Sequence, residues 1–208
     1  MYNKKIKKEW WFTMINLKKG QPINLKKELK VSDFRVGLCW DPAEDSAPKA
    51  DLDLSFIVLR NGKFIQDEDL VFYNNKFGVN GIVGSIDNRT GEGDSDDEVG
   101  TVNVDKLDSN IDKIIVTASI YEADLRQQTF ASIKNAYIYL SDNKTGNKLC
   151  QYELTKDASE FTIIEFAEIY KDEEGHWNFK TGEDGFTTDT QDDKVVAANQ
   201  LTVINKYI

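Results

Sequence analysis

Twelve consecutive residues, Asp87-Asn88-Arg89-Thr90-Gly91-Glu92-Gly93-Asp94-Ser95-Asp96-Asp97-Glu98, hold six carboxylates and one base, with two glycines that let the backbone bend. Like charges this close repel and raise one another's pKa. A hard divalent cation relieves both effects, and Ca²⁺ takes roughly six to eight oxygen ligands of this kind. The six acids and Arg89 sum to -5, which one Ca²⁺ reduces to -3 and two reduce to -1. One or two bound ions are therefore electrostatically reasonable. The spacing is not that of an EF-hand, which alternates ligands from its first Asp and needs Gly at the sixth position; here Arg89 is third and Gly91 fifth. A solvated acidic linker is the plain alternative for a charge run, but such linkers seldom carry paired glycines, a Thr and an Asn between β-like segments.

One loop rarely satisfies such a cation alone, so other oxygens should converge on it. Asn74 and Asn75 end an apolar run, and Asp53 shares a strand face with Asp51; Asp41, after Trp40, is a weaker candidate. Their plain alternatives are a turn for the asparagines and a strand edge for the aspartates. Carboxylates committed to calcium are pinned in the ionised form, which removes them from acid-base work. No Gly-x-Ser-x-Gly elbow, phosphate loop or dinucleotide fingerprint occurs, and the single histidine, His176, has no nucleophile beside it. No catalytic residue is assigned, and no enzyme is expected. The competing reading is a phosphoester hydrolase whose bound cation activates water.

Such a loop needs a rigid frame, and the periodicity is that of strands. In Asp51 to Leu59 one face holds Leu52, Leu54, Phe56 and Val58, while the other begins with Asp51, Asp53 and Ser55 and ends with Ile57 and Leu59; alternation of this kind marks a strand. Further β-rich runs are Phe34–Trp40, Leu70–Tyr73, Ile82–Ile86, Val99–Val104, Lys113–Tyr121, Ala136–Leu140, Lys148–Leu154, Phe161–Tyr170 and Trp177–Phe179. Turn signals such as Asn61-Gly62, Asn80-Gly81 and Glu174-Gly175 separate them. The expected fold is all-β, an antiparallel β-sandwich with a few short helices, at Asp105–Asp112, Glu122–Ile133 and Asp192–Gln200. Asp87 to Gly91 is echoed at Asp142-Asn143-Lys144-Thr145-Gly146 without the acidic tail, which reads as a hairpin turn. The last run, Leu201 to Ile208, is apolar enough to return to the core.

The 208 residues suit one domain, and 40% hydrophobic with 30% charged is globular composition. The net charge of -10 hides an asymmetry: residues 1–30 carry nine Lys and two Glu, or +7, leaving -17 on the rest. An acidic body repels nucleic-acid phosphates and anionic headgroups, so nucleic-acid binding is not expected. Cys39 and Cys150 each sit in an apolar strand-like run and read as reduced core thiols. Lys4 to Lys8 and Trp10-Trp11-Phe12 begin like a secretion signal, but Asn16 and Lys18 break the apolar stretch. No run approaches a membrane span. Residues 1–13 are expected to be a disordered extension, although basic, aromatic segments can rest on anionic membranes. The location expected is cytoplasmic, peripheral to the membrane's inner face at most.

The acidic segment closely resembles the signature of the TerD family: Asp87-Asn88, then Thr90-Gly91-Glu92-Gly93-Asp94, then Asp96-Asp97-Glu98. Val36-Gly37-Leu38 with Trp40-Asp41, Asp51-Leu52-Asp53, Val71 to Asn75, Ile120-Tyr121, Arg126 with Phe130, Asn135-Ala136 and Gly175-His176-Trp177 with Phe179 are similar to that family's landmarks, in its order. Ile86 and Ser95 stand where the family usually has glycines; neither change removes a carboxylate. The resemblance runs from Met14 to Phe186 and implies a domain over residues 14–208. It also implies two calcium ions held by Asp87, Asn88, Thr90, Glu92, Asp94, Asp96, Asp97 and Glu98, with Asn74, Asn75 and Asp53 as added candidates. The function it implies is binding or scaffolding in stress response and tellurite resistance, with other Ter-type proteins and a TerC-like membrane protein as partners.

Overall fold

A computed structural model describes residues 14–42, 49–85, 97–154, 159–187 and 196–208. Among the described residues there are twelve strands, the first two of them not expected from the sequence: β1 (Ile15–Asn16), β2 (Pro22–Asn24), β3 (Asp33–Pro42), β4 (Leu52–Arg60), β5 (Leu70–Val71), β6 (Ile82–Val83), β7 (Glu98–Asn103), β8 (Ile111–Ile120), β9 (Ile133–Asp142), β10 (Lys148–Glu153), β11 (Ile163–Lys171) and β12 (Trp177–Phe186). They form two six-stranded sheets, sheet A in the order β1-β10-β9-β3-β7-β6 and sheet B in the order β2-β12-β11-β8-β4-β5. Apart from the parallel β1–β10 pair, the ladders are antiparallel. The chain is thus the all-β sandwich its pattern implies.

The inner faces close on Phe34, Val36 and Leu38 from β3, Leu52, Leu54 and Phe56 from β4, Val116 and Ala118 from β8, and Phe166 from β11, all at most 1% exposed. Burying a large apolar side chain of this kind stabilises the fold by about 1.5–3 kcal/mol. Two contacts fix which strands face each other. A Cβ on Gly100 of β7 would lie 2.3 Å from the Phe56 ring of β4, so the ring occupies the space that glycine leaves. Tyr152 of β10 meets Phe166 of β11 edge-on at 6.0 Å.

A second, smaller core lies on the outer face of sheet B. The far end of β4 is apolar on both sides, and Ile57 and Leu59 pack with Leu70, Ile115 and Ile163 beneath Val203 and Ile204 of the C-terminal helix α2 (Val196–Ile204), α1 being the single turn Ala123–Arg126. The terminal run therefore returns to this outer cluster instead of the inter-sheet core. Under the same helix lies a buried polar knot: Thr117 donates to Gln200 Oε1 at 2.8 Å, and Gln200 Nε2 donates to Ser55 and Ser119 at 3.3 Å.

Other differences from the sequence reading have local causes. The segment Asp105–Asp112 makes only a 3₁₀ turn at Val104–Lys106 before β8 starts, because Asn, Asp and Ser side chains compete for backbone groups; Asn103 caps Asp105 N at 3.1 Å. Glu122–Ile133 yields α1 and a 3₁₀ turn, Phe130–Ser132, with Glu122 and Gln127 in left-handed conformations on either side of α1. α2 is described from Val196 to Ile204 and so runs past Gln200, the expected end, while residues 192–195 of the expected helix lie outside the described residues. β12 continues past Phe179 to Phe186.

Candidate functional site

β6 and β7 pair antiparallel, Ile82 with Val102 and Val83 with Thr101, so the acidic segment is the connection of a hairpin at the rim of sheet A. Asp87, Asn88, Thr90, Glu92, Asp94 and Asp96 lie outside the described residues. Both flanks are described, and they are fastened together: Val99 N donates to Ser85 Oγ at 2.8 Å, closing the base of the loop.

The last two acids of the segment are already inside the protein, Asp97 at 8% and Glu98 at 2% exposure. The β3–β7 ladder ends at the pair Leu38–Glu98. Beyond it, the Asp97 carboxylate takes the place of a backbone carbonyl and accepts Trp40 N–H at 3.0 Å. Glu98 shares its face with Gly100 and Val102, in a strand that alternates buried and half-buried residues, so its side chain points between the sheets. There it accepts Leu54 N–H of β4 at 2.5 Å, at the stretch of β4 that β5, paired only to Phe56 and Ile57, does not cover. Consecutive carboxylates thus bind backbone donors of different sheets. Hydrogen bonds to an ionised acceptor contribute about 1.5–3 kcal/mol each.

Two more acids reach this end, Asp51 just before β4 at 7% and Asp53 within it at 4% exposure. Asp53 immediately precedes the Leu54 amide held by Glu98, and the Trp40 indole donates to Ala50 O at 3.3 Å. Tyr121 N donates to Asp51 O at 2.8 Å. The Tyr121 phenol is pushed above its usual range, first by burial, then by Glu122, with a smaller push from Asp53; the Arg126 guanidinium, 5.1 Å above its ring and 3.0 Å from Glu122, opposes the rise. The donor set is hard oxygen, which suits Ca²⁺ or Mg²⁺ and not a soft metal. Among the described residues no three His, Cys, Asp or Glu side chains gather closely enough to hold a metal. Of the acids in the sequence reading, Asp53, Asp97 and Glu98 are thus buried at this end of the sandwich, and Asp87, Glu92, Asp94 and Asp96 lie outside the described residues.

Asn74 and Asn75 stand in a turn. Asn75 and Phe72 exchange backbone hydrogen bonds of 3.0 and 3.2 Å, and Asn75 Nδ2 donates to Leu70 O at 2.8 Å. Lys76 O accepts Gly84 N–H at 2.8 Å, which sets this turn beside the start of the loop. Asp41 accepts from Asn135 Nδ2 at 2.7 Å. The 142–146 echo is the hairpin turn expected: Asp142 Oδ1 accepts from Lys144 N and Thr145 N, and Gly146 has φ +75°. His176 lies in the β11–β12 hairpin, where Asp172 accepts its backbone N–H at 2.7 Å. Cys39 and Cys150 are buried and not in a disulfide, and burial pushes the Cys150 thiol up to about 12. Among the described residues no helix is long and apolar enough to cross a membrane. The sequence reading marked Tyr121 as a family landmark but gave no site role to it or to Glu122, and did not see the inward aim of Glu98, which the alternation Glu98, Gly100, Val102 carries.

A profile of the TerD domain matches residues 13–192. The chain is 37% identical over 175 residues to a tellurium resistance protein TerD of Serratia marcescens, covering 83% of this chain and 91% of that one. It is 38% identical over 176 residues to general stress protein 16U of Bacillus subtilis, again covering 83% and 91%. A crystal structure of a Streptomyces coelicolor homologue of telluride resistance protein superposes with a TM-score of 0.59 at 23% identity, covering 76% of this chain and 92% of that one, and so shares the fold.

Proposed function

Because the chain belongs to the TerD family, we propose that it is a calcium-binding stress-response protein, a binding or scaffolding module whose acidic loop is clasped by one or two Ca²⁺ ions. The observation that carries this is the pair Asp97–Glu98. Two acids at the loop's exit are buried against backbone amides of both sheets, so whatever orders the loop also fixes the end of the sandwich.

In this reading the cation supplies positive charge to a segment whose own charges repel. Ca²⁺ fits better than Mg²⁺, because many flexible carboxylates satisfy a large, irregular shell while Mg²⁺ demands compact octahedral geometry and dehydrates reluctantly. Asp97 and Glu98 anchor the loop while Asp53 adds negative potential from β4. Affinity for the ion becomes folding free energy for the region. The relatives' names place them in tellurium resistance and general stress, and the same setting is proposed here, in the cytoplasm, with Ter-type partners and a TerC-like membrane protein. Calorimetric titration of chelator-stripped protein tests the reading: one or two Ca²⁺ bind with Mg²⁺ distinctly weaker, and equal affinity for the two ions contradicts it.

A further inference from the structure

On the outer side of sheet B a cleft of about 500 Å³ opens between α2 and residues 64–75, reaching the Asn74–Asn75 turn at one end. That lies within the roughly 300–1,000 Å³ of ligand sites. Phe64, Phe72, Leu201 and Ile204 make its apolar walls, and its two ionisable groups, Asp67 and Glu68, are both exposed acids. Apolar surface continues around it. Leu201 is 47% exposed, Ile65, next to Phe64, is 59% exposed, and Phe77, at 78%, adjoins Gly78, which packs on the Glu68 carbonyl. An anionic occupant would be repelled; the complementary one has a bulky apolar anchor flanked by cations.

This chain carries such a segment. Lys4, Lys5, Lys7 and Lys8 precede Trp10, Trp11 and Phe12, in the same basic start that offsets the acidic body. The segment and the α2 wall of the cleft both fall outside residues 13–192, the part shared with the TerD profile. Within one chain the two are too far apart. β1 pairs with β10 at the edge of sheet A, and the chain just after it reaches the β2–β12 edge of sheet B, where Gly20 N bonds Thr181 O at 3.0 Å, whereas the cleft is at the opposite, β5 edge. The strand spacings from β2 to β5 total about 24 Å, and the chain from Ile15 back to Trp10 reaches at most about 18 Å.

We propose that the cleft receives the basic, aromatic segment Lys4–Phe12 of a second copy of this chain, making a dimer by reciprocal exchange. Trp10 or Trp11 enters between Phe64, Phe72 and Leu201, and the lysines face Asp67 and Glu68. Each copy gives one segment and one cleft, so the exchange closes on itself.

The test is light scattering on the full-length chain across concentration, with two variants. The parent should double its mass as concentration rises, less readily in high salt. Trp10→Ser/Trp11→Ser, which spoils the segment, and Asp67→Lys/Glu68→Lys, which spoils the cleft, should each weaken association by about tenfold or more, equivalent to ~1.4 kcal/mol. Mixing the two variants should restore one-to-one association, because one supplies a sound cleft and the other a sound segment. Circular dichroism checks that both fold; the four positions are either exposed or outside the described residues. A parent that stays monomeric, a cleft variant that associates like the parent, or variants that fail to complement each other overturns the proposal. So does binding of the parent to phosphatidylglycerol vesicles that the cleft variant matches while neither self-associates, which assigns the segment to membranes.

Discussion

The two ends of β4 bury acids by different means. At its far end Arg60 pairs with Asp69, which is fully buried, through Nε at 2.9 Å, while its Nη1 reaches Asp108 at 2.9 Å; across sheet B, Lys206 meets Glu165 at 2.7 Å. At its near end Glu98 and Asp97 accept from backbone amides of β4 and β3. A guanidinium or ammonium cancels the charge it bonds, whereas an amide satisfies a lone pair and leaves the charge in place. The far end sets a cationic side chain against each of its buried acids. The near end brings Asp51, Asp53, Asp97 and Glu98 together at the exit of a segment that adds more carboxylates, and it is there that the proposed cation would stabilise the fold.

The largest expected effect tests the self-sufficient end. Arg60→Ala strands Asp69 in the interior and should cost about 3–5 kcal/mol in urea unfolding. The loss should shrink in acid. Burial already raises the Asp69 carboxyl above 3.8 despite Arg60, and removing the arginine raises it further. Such a group binds its proton more tightly folded than unfolded, so stability falls as pH rises from 3.8 through the folded pKa and is regained on acidification. A loss that is flat with pH would show that Asp69 stays charged without its partner.

Next comes the cation. Ca²⁺ at 100 times its dissociation constant should stabilise the protein by about 2.7 kcal/mol per independent site, and Asp94→Asn/Asp96→Asn/Asp97→Asn should remove nearly all of it. In chelator that variant should melt at or above the parent, because repulsion in the loop is relieved while the carboxamide introduced by Asp97→Asn retains an oxygen for the Trp40 amide. If it unfolds under both conditions, these aspartates are structural acceptors and the two ends do not differ as described.

Glu98 separates charge from hydrogen bonding. Glu98→Ala leaves the buried Leu54 N–H without its acceptor and should cost about 1–3 kcal/mol with or without calcium; Glu98→Gln should keep most of that stability and lose calcium affinity. Equal losses in both variants would assign Glu98 to the fold alone. No effect on calcium is expected at Gln200→Leu, where calorimetry should find binding unchanged while stability falls by about 1–3 kcal/mol from the loss of its bonds to the buried Ser55, Ser119 and Thr117 beneath α2.

The sandwich was readable because its strands alternate over long runs, and β3, β4, β8 and β11 fall close to the ranges the pattern marks. β1 and β2, of two and three residues, were not, since strands this short are set by their partners and not by periodicity. The second half of β12 hid behind Gly182 and Gly185 for a related reason. β2 covers only Asn178 to Lys180, so the rest is an edge, where sequences avoid apolar patterns. The acidic loop announces itself by composition, and at its described exit Asp97 precedes β7 while Glu98 begins it, one residue ahead of the Val99 at which the pattern starts the strand. What no spacing rule conveys is that Glu98 crosses to the other sheet, because that bond joins residues 44 positions apart and exists only once the sheets are stacked.

That crossing bond makes two amide protons into observers of the loop. Trp40 N–H and Leu54 N–H belong to different sheets and stand far from the acidic segment in sequence, yet each ends on a carboxylate that leaves it. Their exchange with deuterated water should slow together when calcium is added and quicken together when it is withdrawn, while Ile114 and Val116 in mid-sheet keep their rates. The loop's occupancy can thus be followed from inside the protein, at positions no ligand touches.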